Sequence, residues 1–187
     1  MLTKAASGTG SSREFDILHC PDDAVFMHQE AEKANPEAEA YLGMMYLMGS
    51  GVPKDDSKAL LWFSKGADQG NSEAQVGLGA IYDAGSIVPR DVAKAASLFA
   101  NSAEQGNPLA QGLLGVHYSL GAGLPRDLHK AYFWTYLAEK GMKAATQEDL
   151  PIVKRSFDEV SALLTPDECL QLRQQADDWL AVHPFRY

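Results

Sequence analysis

The chain has 187 residues, of which 45% are hydrophobic and 22% charged, the composition of a globular rather than a disordered protein. Its 25 acidic and 16 basic residues give a formal charge of −9 at pH 7, which predicts no nucleic-acid partner, because nucleic-acid binding needs a basic surface to replace phosphate counterions. No stretch approaches the roughly 18 apolar residues of a membrane-spanning helix, so no membrane insertion is expected.

Residues 1–20 are predicted to form a disordered tail, since Ser, Gly, Ala and Thr dominate their first part. The tail lacks the apolar core of a secretory signal, which favours a cytoplasmic location; a periplasmic one stays open if the chain is the trimmed form of a longer precursor. The two cysteines, Cys20 and Cys169, are too far apart in sequence for a CxxC metal pair. No Cys/His cluster has zinc-binding spacing, and no phosphate loop or dinucleotide fingerprint occurs, so we expect no metal and no cofactor.

An internal repeat of 36 residues organises the region that follows. The segment GNSEAQ begins at Gly70, GNPLAQ begins at Gly106, and ANPEAE begins at Ala34. Many further matches recur at the same offset, and their first-unit members are Leu42, Gly43, Tyr46, Gly49, Val52, Pro53, Asp55, Lys58 and Ala59. So many matches at one offset indicate a repeat protein.

Each unit is predicted to contain two helices. Ala38, Leu42 and Tyr46 follow each other at steps of four, which places them on one helix face. The sequence GSGVPKD then ends the first helix, and Asp55 is placed to cap the second. A glycine within the first helix, Gly43, predicts close helix–helix approach, with Tyr46 or Trp62 filling the space above it.

At these residues the chain resembles the Sel1-like repeat family, whose members are relatives of the tetratricopeptide repeats. The resemblance implies an all-α, right-handed α/α superhelix, a solenoid of antiparallel helix pairs. We expect a disordered tail over residues 1–20 and a single domain over 21–187. Its repeats fall at about 36–71, 72–107 and 108–142, with an N-terminal capping helix and C-terminal capping helices within 143–183.

The resemblance also implies a binding groove, because the first helix of each pair lines the concave surface of tetratricopeptide-like solenoids. Positions on that helix outside the repeat motif are expected to contact a partner, and the methionines among them would give an adaptable lining. The alternative is that these side chains pack against neighbouring or C-terminal helices. The expected groove residues are Glu37, Ala40, Met44, Leu47, Met48, Glu73, Val76, Ala80, Asp83, Ala84, Val116, His117, Ser119 and Leu120.

No catalytic residues are predicted, because no histidine lies in a zinc-binding pattern and no nucleophile elbow or phosphate loop occurs. We expect a non-enzymatic adaptor, favoured as a monomer, that binds a protein or peptide, with the charge favouring a basic one. A first alternative is an immunity protein that inhibits a bacterial toxin or effector enzyme. A second is a small-ligand-binding or hydrolytic protein that uses His117, His129, Glu139 and Asp149.

Overall fold

The computed structural model describes residues 21–145 and 151–183, and within these ranges it contains α-helices and no strand. The predicted disordered tail lies outside the described residues. The helices are α1 (Pro21–Glu32), α2 (Pro36–Met48), α3 (Asp56–Asp68), α4 (Ser72–Ala84), α5 (Val92–Glu104), α6 (Pro108–Leu120), α7 (Leu128–Ala145), α8 (Pro151–Ser161) and α9 (Pro166–Val182).

The helices pack as successive pairs, α2 with α3, α4 with α5 and α6 with α7. Each second helix also contacts the first helix of the next pair, and α2 contacts α4 directly. The predicted all-α solenoid is therefore confirmed. At its two ends α1 packs on α2, while α8 contacts both α6 and α7, and α9 contacts α7.

Asparagine and aspartate side chains begin the helices of every pair. Asn35, Asn71 and Asn107 accept hydrogen bonds from backbone N–H groups at the starts of α2, α4 and α6. The predicted capping role of Asp55 is confirmed, since its Oδ1 accepts from the Lys58 N–H at 3.0 Å, and the same bond recurs one and two repeats later. These caps satisfy donors that helix starts leave unpaired, so each boundary is set locally.

The mid-helix glycines do allow close packing, but the residue that fills the space differs from the prediction. A Cβ atom on Gly43 would lie 2.6 Å from Cδ1 of Phe63, and one on Gly79 would lie 2.6 Å from Cε1 of Phe99. Tyr46 and Trp62 instead contact His28 of α1: His28 Nε2 lies 2.8 Å from the Tyr46 hydroxyl, and the His28 ring meets the Trp62 ring edge to face. The glycine at position 43 therefore predicted the close approach of the helices, but not which side chain packs against it.

The third pair ends differently from the first two. Helices α3 and α5 have 13 residues each and are followed by Gly70 and Gly106, whose φ angles are +84° and +89°. Helix α7 has 18 residues and runs through Gly141. At the 36-residue offset Met142 stands where the first two pairs have these glycines, and a methionine does not readily adopt the positive φ that follows α3 and α5, so the helix continues.

A side-chain hydrogen bond that joins the two helices of a pair is also missing from the third pair. In the first two pairs the bond runs from the second helix to the first: Gln69 Nε2 donates to Glu39 Oε2 at 2.6 Å, and Gln105 Nε2 donates to Gln75 Oε1 at 2.8 Å. The corresponding residues of the third pair are Gly141 and Gln111. Because glycine has no side chain, Gln111 cannot form this bond.

Candidate functional site

One face of the first helices carries exposed side chains in all three repeats. On α2, Glu37, Met44 and Met48 fall within an arc of about 40°, because a helix turns about 100° per residue. The 36-residue offset places equivalent residues on α4 and α6. We call these exposed side chains the first-helix stripe, and it comprises Glu37, Met44, Met48, Glu73, Ala80, Ala84, Leu109 and Leu120.

Most of the stripe is apolar and accessible to solvent. Met48 and Leu120 are each 70% exposed, and Met44 is 45% exposed. Ala80 and Ala84 are exposed on the helix between them. Apolar side chains at equivalent positions of successive repeats, left uncovered by the fold, are typical of a surface that a partner covers.

Not all of the predicted groove residues are accessible. Ala40 and Val76 are buried, each in a hydrophobic cluster of the core. Val116 and His117 are buried as well, so the expectation that these four side chains contact a partner is corrected. Of the others, three are half-buried, namely Leu47, Asp83 and Ser119, and seven are exposed, namely Glu37, Met44, Met48, Glu73, Ala80, Ala84 and Leu120.

Sequence reasoning omitted Tyr41 from the groove. This residue lies four positions after Glu37 and seven before Met48, so its side chain projects within about 40° of theirs, and it is half-buried. The helical spacing alone could have placed it beside the stripe.

The C-terminal helices cover one side of α6. Ser156 of α8 donates a hydrogen bond to the Ser119 hydroxyl at 3.1 Å, and a Cβ atom on Gly112 would lie 2.6 Å from a methyl group of Val153. For Ser119, therefore, the alternative of packing against the C-terminal helices is confirmed. Leu120 stays exposed at the adjacent position, so α8 does not close the stripe.

The acidic residues of this region differ in their partners. Asp83 Oδ1 lies 3.3 Å from the Arg90 guanidinium, and Asp83 Oδ2 lies 3.7 Å from Nε2 of His117. Glu37 and Glu73 are exposed, and neither carboxylate forms an ion pair with another described residue. The stripe therefore presents two accessible negative charges beside its apolar side chains.

The two histidines considered for a hydrolytic site have separate partners. The Nδ1 atom of His117 lies 2.9 Å from the Ala122 carbonyl oxygen, while Nε2 of the exposed His129 lies 3.3 Å from Glu168 of α9. Glu139 lies on α7, and Asp149 falls outside the described residues. Across residues 21–145 and 151–183, no three His, Cys, Asp or Glu side chains are grouped so that they could hold a metal ion.

The Glu168 carboxylate is explained by a helix cap. It accepts hydrogen bonds from the Thr165 hydroxyl at 2.7 Å and from the Thr165 backbone N–H at 2.8 Å, and Thr165 in turn caps α9. These bonds, with a smaller contribution from His129, lower the pKa of Glu168. Its altered acidity therefore follows from a capping box at the start of α9.

Comparison with known proteins matches the chain to the Sel1 repeat, at residues 36–71, 72–107 and 108–140. The crystal structure of a Sel1 repeat protein from Oxalobacter formigenes is 31% identical and superimposes with a TM-score of 0.61, covering 73% of this chain and 98% of that one. A protective antigen of uropathogenic Escherichia coli displaying an SLR fold is 23% identical, with a TM-score of 0.53, over 84% of this chain and 40% of that one. The latter likeness concerns the fold alone.

No curated protein matches the chain significantly. Among the helices within the described ranges, none combines the length and the apolar character that crossing a membrane requires.

Proposed function

Because this chain belongs to the Sel1 repeat family, whose repeats generally form protein-interaction scaffolds, we propose that it is a non-enzymatic adaptor that holds a partner protein or peptide against the first-helix stripe. The observation that carries the proposal is the row of exposed apolar side chains from Met44 and Met48 to Leu120. Full burial of one such side chain contributes about 1.5–3 kcal/mol, so covering the row can support specific binding.

The charge of the chain supports a basic partner. At −9 the protein attracts positively charged molecules over distances comparable to the screening length, which raises the rate of encounter. Glu37 and Glu73 add negative charge on the stripe itself. Association with a basic partner is therefore expected to slow as salt is added.

Site-specific photocrosslinking tests whether the stripe is the binding surface. A photoreactive side chain placed at Met48 should crosslink one protein in native lysate, and the same side chain at Leu61 should not. Leu61 is a matched control, because it is apolar and 50% exposed but lies on α3, the second helix of its pair, which does not contribute to the stripe.

Substitutions then test the contact in purified components. Met44→Glu together with Met48→Glu should abolish binding of the crosslinked protein, since it places two charges in the apolar row, whereas Leu61→Glu should leave binding intact. Binding that survives the double substitution, or that Leu61→Glu weakens equally, would exclude the first-helix stripe as the site.

An inhibitor of a toxic enzyme is the second candidate, and the net charge is the observation that favours it, because a negative protein complements a basic enzyme. Identification of the crosslinked protein separates the two candidates. Recovery of an enzyme whose activity falls when this chain is added would select the inhibitor, and an unaffected or non-enzymatic partner would select the adaptor.

A further inference from the structure

Helices α6 and α8 pack side by side and run in the same direction. A Cβ atom on Gly112 would lie 2.6 Å from a methyl group of Val153, and Ser156 donates a hydrogen bond to Ser119 at 3.1 Å. Residue numbers increase on both helices from the first contact to the second, so the helices are parallel. Helix α8 contacts α6 and α7 as α4 contacts α2 and α3, and therefore takes the place of a fourth first helix.

Exposed apolar side chains of α6 and α8 lie on the same side of their contact. At about 100° per residue, Leu109 and Leu120 lie about 70–90° round α6 from the residues that face α8. Ile152 and Leu163 lie about 50–70° round α8 from the residues that face α6, in the opposite sense. Leu163 follows the end of α8, and its N–H donates to the Val160 carbonyl at 3.0 Å, which continues the turn. Between parallel neighbours, offsets of opposite sense point to one side.

These four side chains form an uncharged surface. Their exposed fractions range from 40% to 70%. Helix α6 contains no Asp, Glu, Lys or Arg, and at the outer edge of α8 the Arg155 Nε lies 3.7 Å from the Glu159 Oε1, so those two charges offset each other. The surface is therefore neutral although the chain carries a formal charge of −9. We call it the α6–α8 patch, and it comprises Leu109, Leu120, Ile152 and Leu163.

The size and charge of the molecule argue against a second copy on this patch. Complete burial of one leucine-sized side chain removes about 60–120 Å² from water, so four supply at most about 500 Å². A stable dimer interface buries about 800 Å² on each partner. A second copy would also bring its own charge of −9, which repels the first.

The spacing of the patch fits a helix instead. On each of the two helices the patch residues are 11 positions apart, which is about 16 Å along the axis. A helix with apolar residues at i, i+4, i+7 and i+11 presents them on one face over the same length. From these features, and resting on the proposed function, we infer that the α6–α8 patch binds an amphipathic helix of the partner protein, about three turns long, through an uncharged apolar face.

A designed peptide of about fifteen residues tests this inference. It has leucine at i, i+4, i+7 and i+11, glutamine or alanine elsewhere, and no net charge. A control peptide has the same composition with the leucines rearranged so that no helix face collects them. Fluorescence anisotropy should show that the first peptide binds at least about tenfold more tightly. Its dissociation constant should change less than about twofold between low and high salt, because no net charge is involved.

Substitutions locate the peptide on the patch. Ile152→Glu and Leu163→Glu should each raise the dissociation constant about 10- to 100-fold, since each removes apolar burial and adds a charge. The matched control is Leu61→Glu, which introduces the same charge at a 50% exposed apolar position on α3 and should leave the dissociation constant unchanged. Circular dichroism of each variant establishes that the helices are intact.

Three results would overturn the inference. One is a rearranged peptide that binds as tightly as the amphipathic peptide, and another is an effect of Ile152→Glu and Leu163→Glu no larger than that of Leu61→Glu. The third is sedimentation of the free protein as a dimer that Leu163→Glu dissociates, which would place a second copy on the patch. In each case the proposed function still stands if Met44→Glu with Met48→Glu abolishes binding of the crosslinked protein, and it fails separately if that binding survives.

Discussion

The buried side chain of Gln111 provides a sharp test of how the third helix pair departs from the second. In the second pair, Gln105 donates to Gln75 Oε1 at 2.8 Å. In the third pair, Gly141 stands in place of Gln105, and the Oε1 atom of the fully buried Gln111 has no hydrogen-bond partner within the part of the chain that the structure describes. Equivalent glutamines in adjacent repeats are therefore satisfied in one case and unsatisfied in the other.

Substitution by leucine should have opposite effects on the two glutamines. An unsatisfied buried polar group costs about 1–3 kcal/mol, and a made hydrogen bond contributes about 0.5–1.5 kcal/mol. Gln111→Leu removes the unsatisfied oxygen and loses only a 3.3 Å bond to the Ala103 carbonyl, which still accepts from the Gly106 N–H at 3.0 Å. We expect Gln111→Leu to stabilise the protein by about 1 kcal/mol.

Gln75→Leu should instead destabilise the protein by about 1 kcal/mol, because it breaks a short bond and leaves the exposed Gln105 amide to water. Thermal unfolding resolves the difference, since 1 kcal/mol shifts Tm by about 2–4 °C in a chain of this size. If Gln111→Leu lowered Tm as much as Gln75→Leu, the unsatisfied oxygen would not be the cost that the structure indicates.

Three further predictions concern packing and pH. Gly43→Ala should lower Tm, because the added Cβ would lie 2.6 Å from the buried Phe63 ring. The overpacking costs about 1–3 kcal/mol, whereas the gain in helix propensity is about 1 kcal/mol. Adding Phe63→Leu should recover part of the loss, and a rise in Tm for Gly43→Ala alone would contradict the prediction. Capping bonds lower the pKa of Glu168, so the stabilising effect of its carboxylate is complete above the ordinary carboxyl pKa and is lost as pH falls through the lowered pKa. The difference in unfolding free energy between the protein and Glu168→Gln, measured with urea, should therefore shrink below about pH 4. A difference that does not depend on pH would refute this assignment. Burial raises the pKa of Tyr132, whose hydroxyl accepts a hydrogen bond from Arg173 Nε at 2.7 Å. The contribution of this tyrosine to stability is therefore complete below the ordinary phenol pKa and is lost as pH rises through the raised pKa. Above about pH 10 the protein should lose more stability than Tyr132→Phe does, and equal losses would contradict the prediction.

The sequence by itself determined the repeat, its two helices and the helix boundaries of the first two pairs. These features depend on neighbours a few residues away, as when Asp55 caps the helix that begins at the next residue or Gly49 adopts a left-handed backbone at a helix end. Because such interactions are local and recur at one offset, they can be read without knowledge of the tertiary contacts. For the same reason the family resemblance predicted the solenoid correctly.

Only the tertiary structure decided which side chains the stripe exposes. Met44 and Val116 occupy equivalent positions, yet Met44 is 45% exposed, whereas Val116 is buried, with only 7% of its surface exposed. Phe63 rather than Tyr46 or Trp62 fills the gap at Gly43. Each of these outcomes depends on how closely neighbouring helices approach and on which side chains then meet, and this is set by residues far apart in the chain.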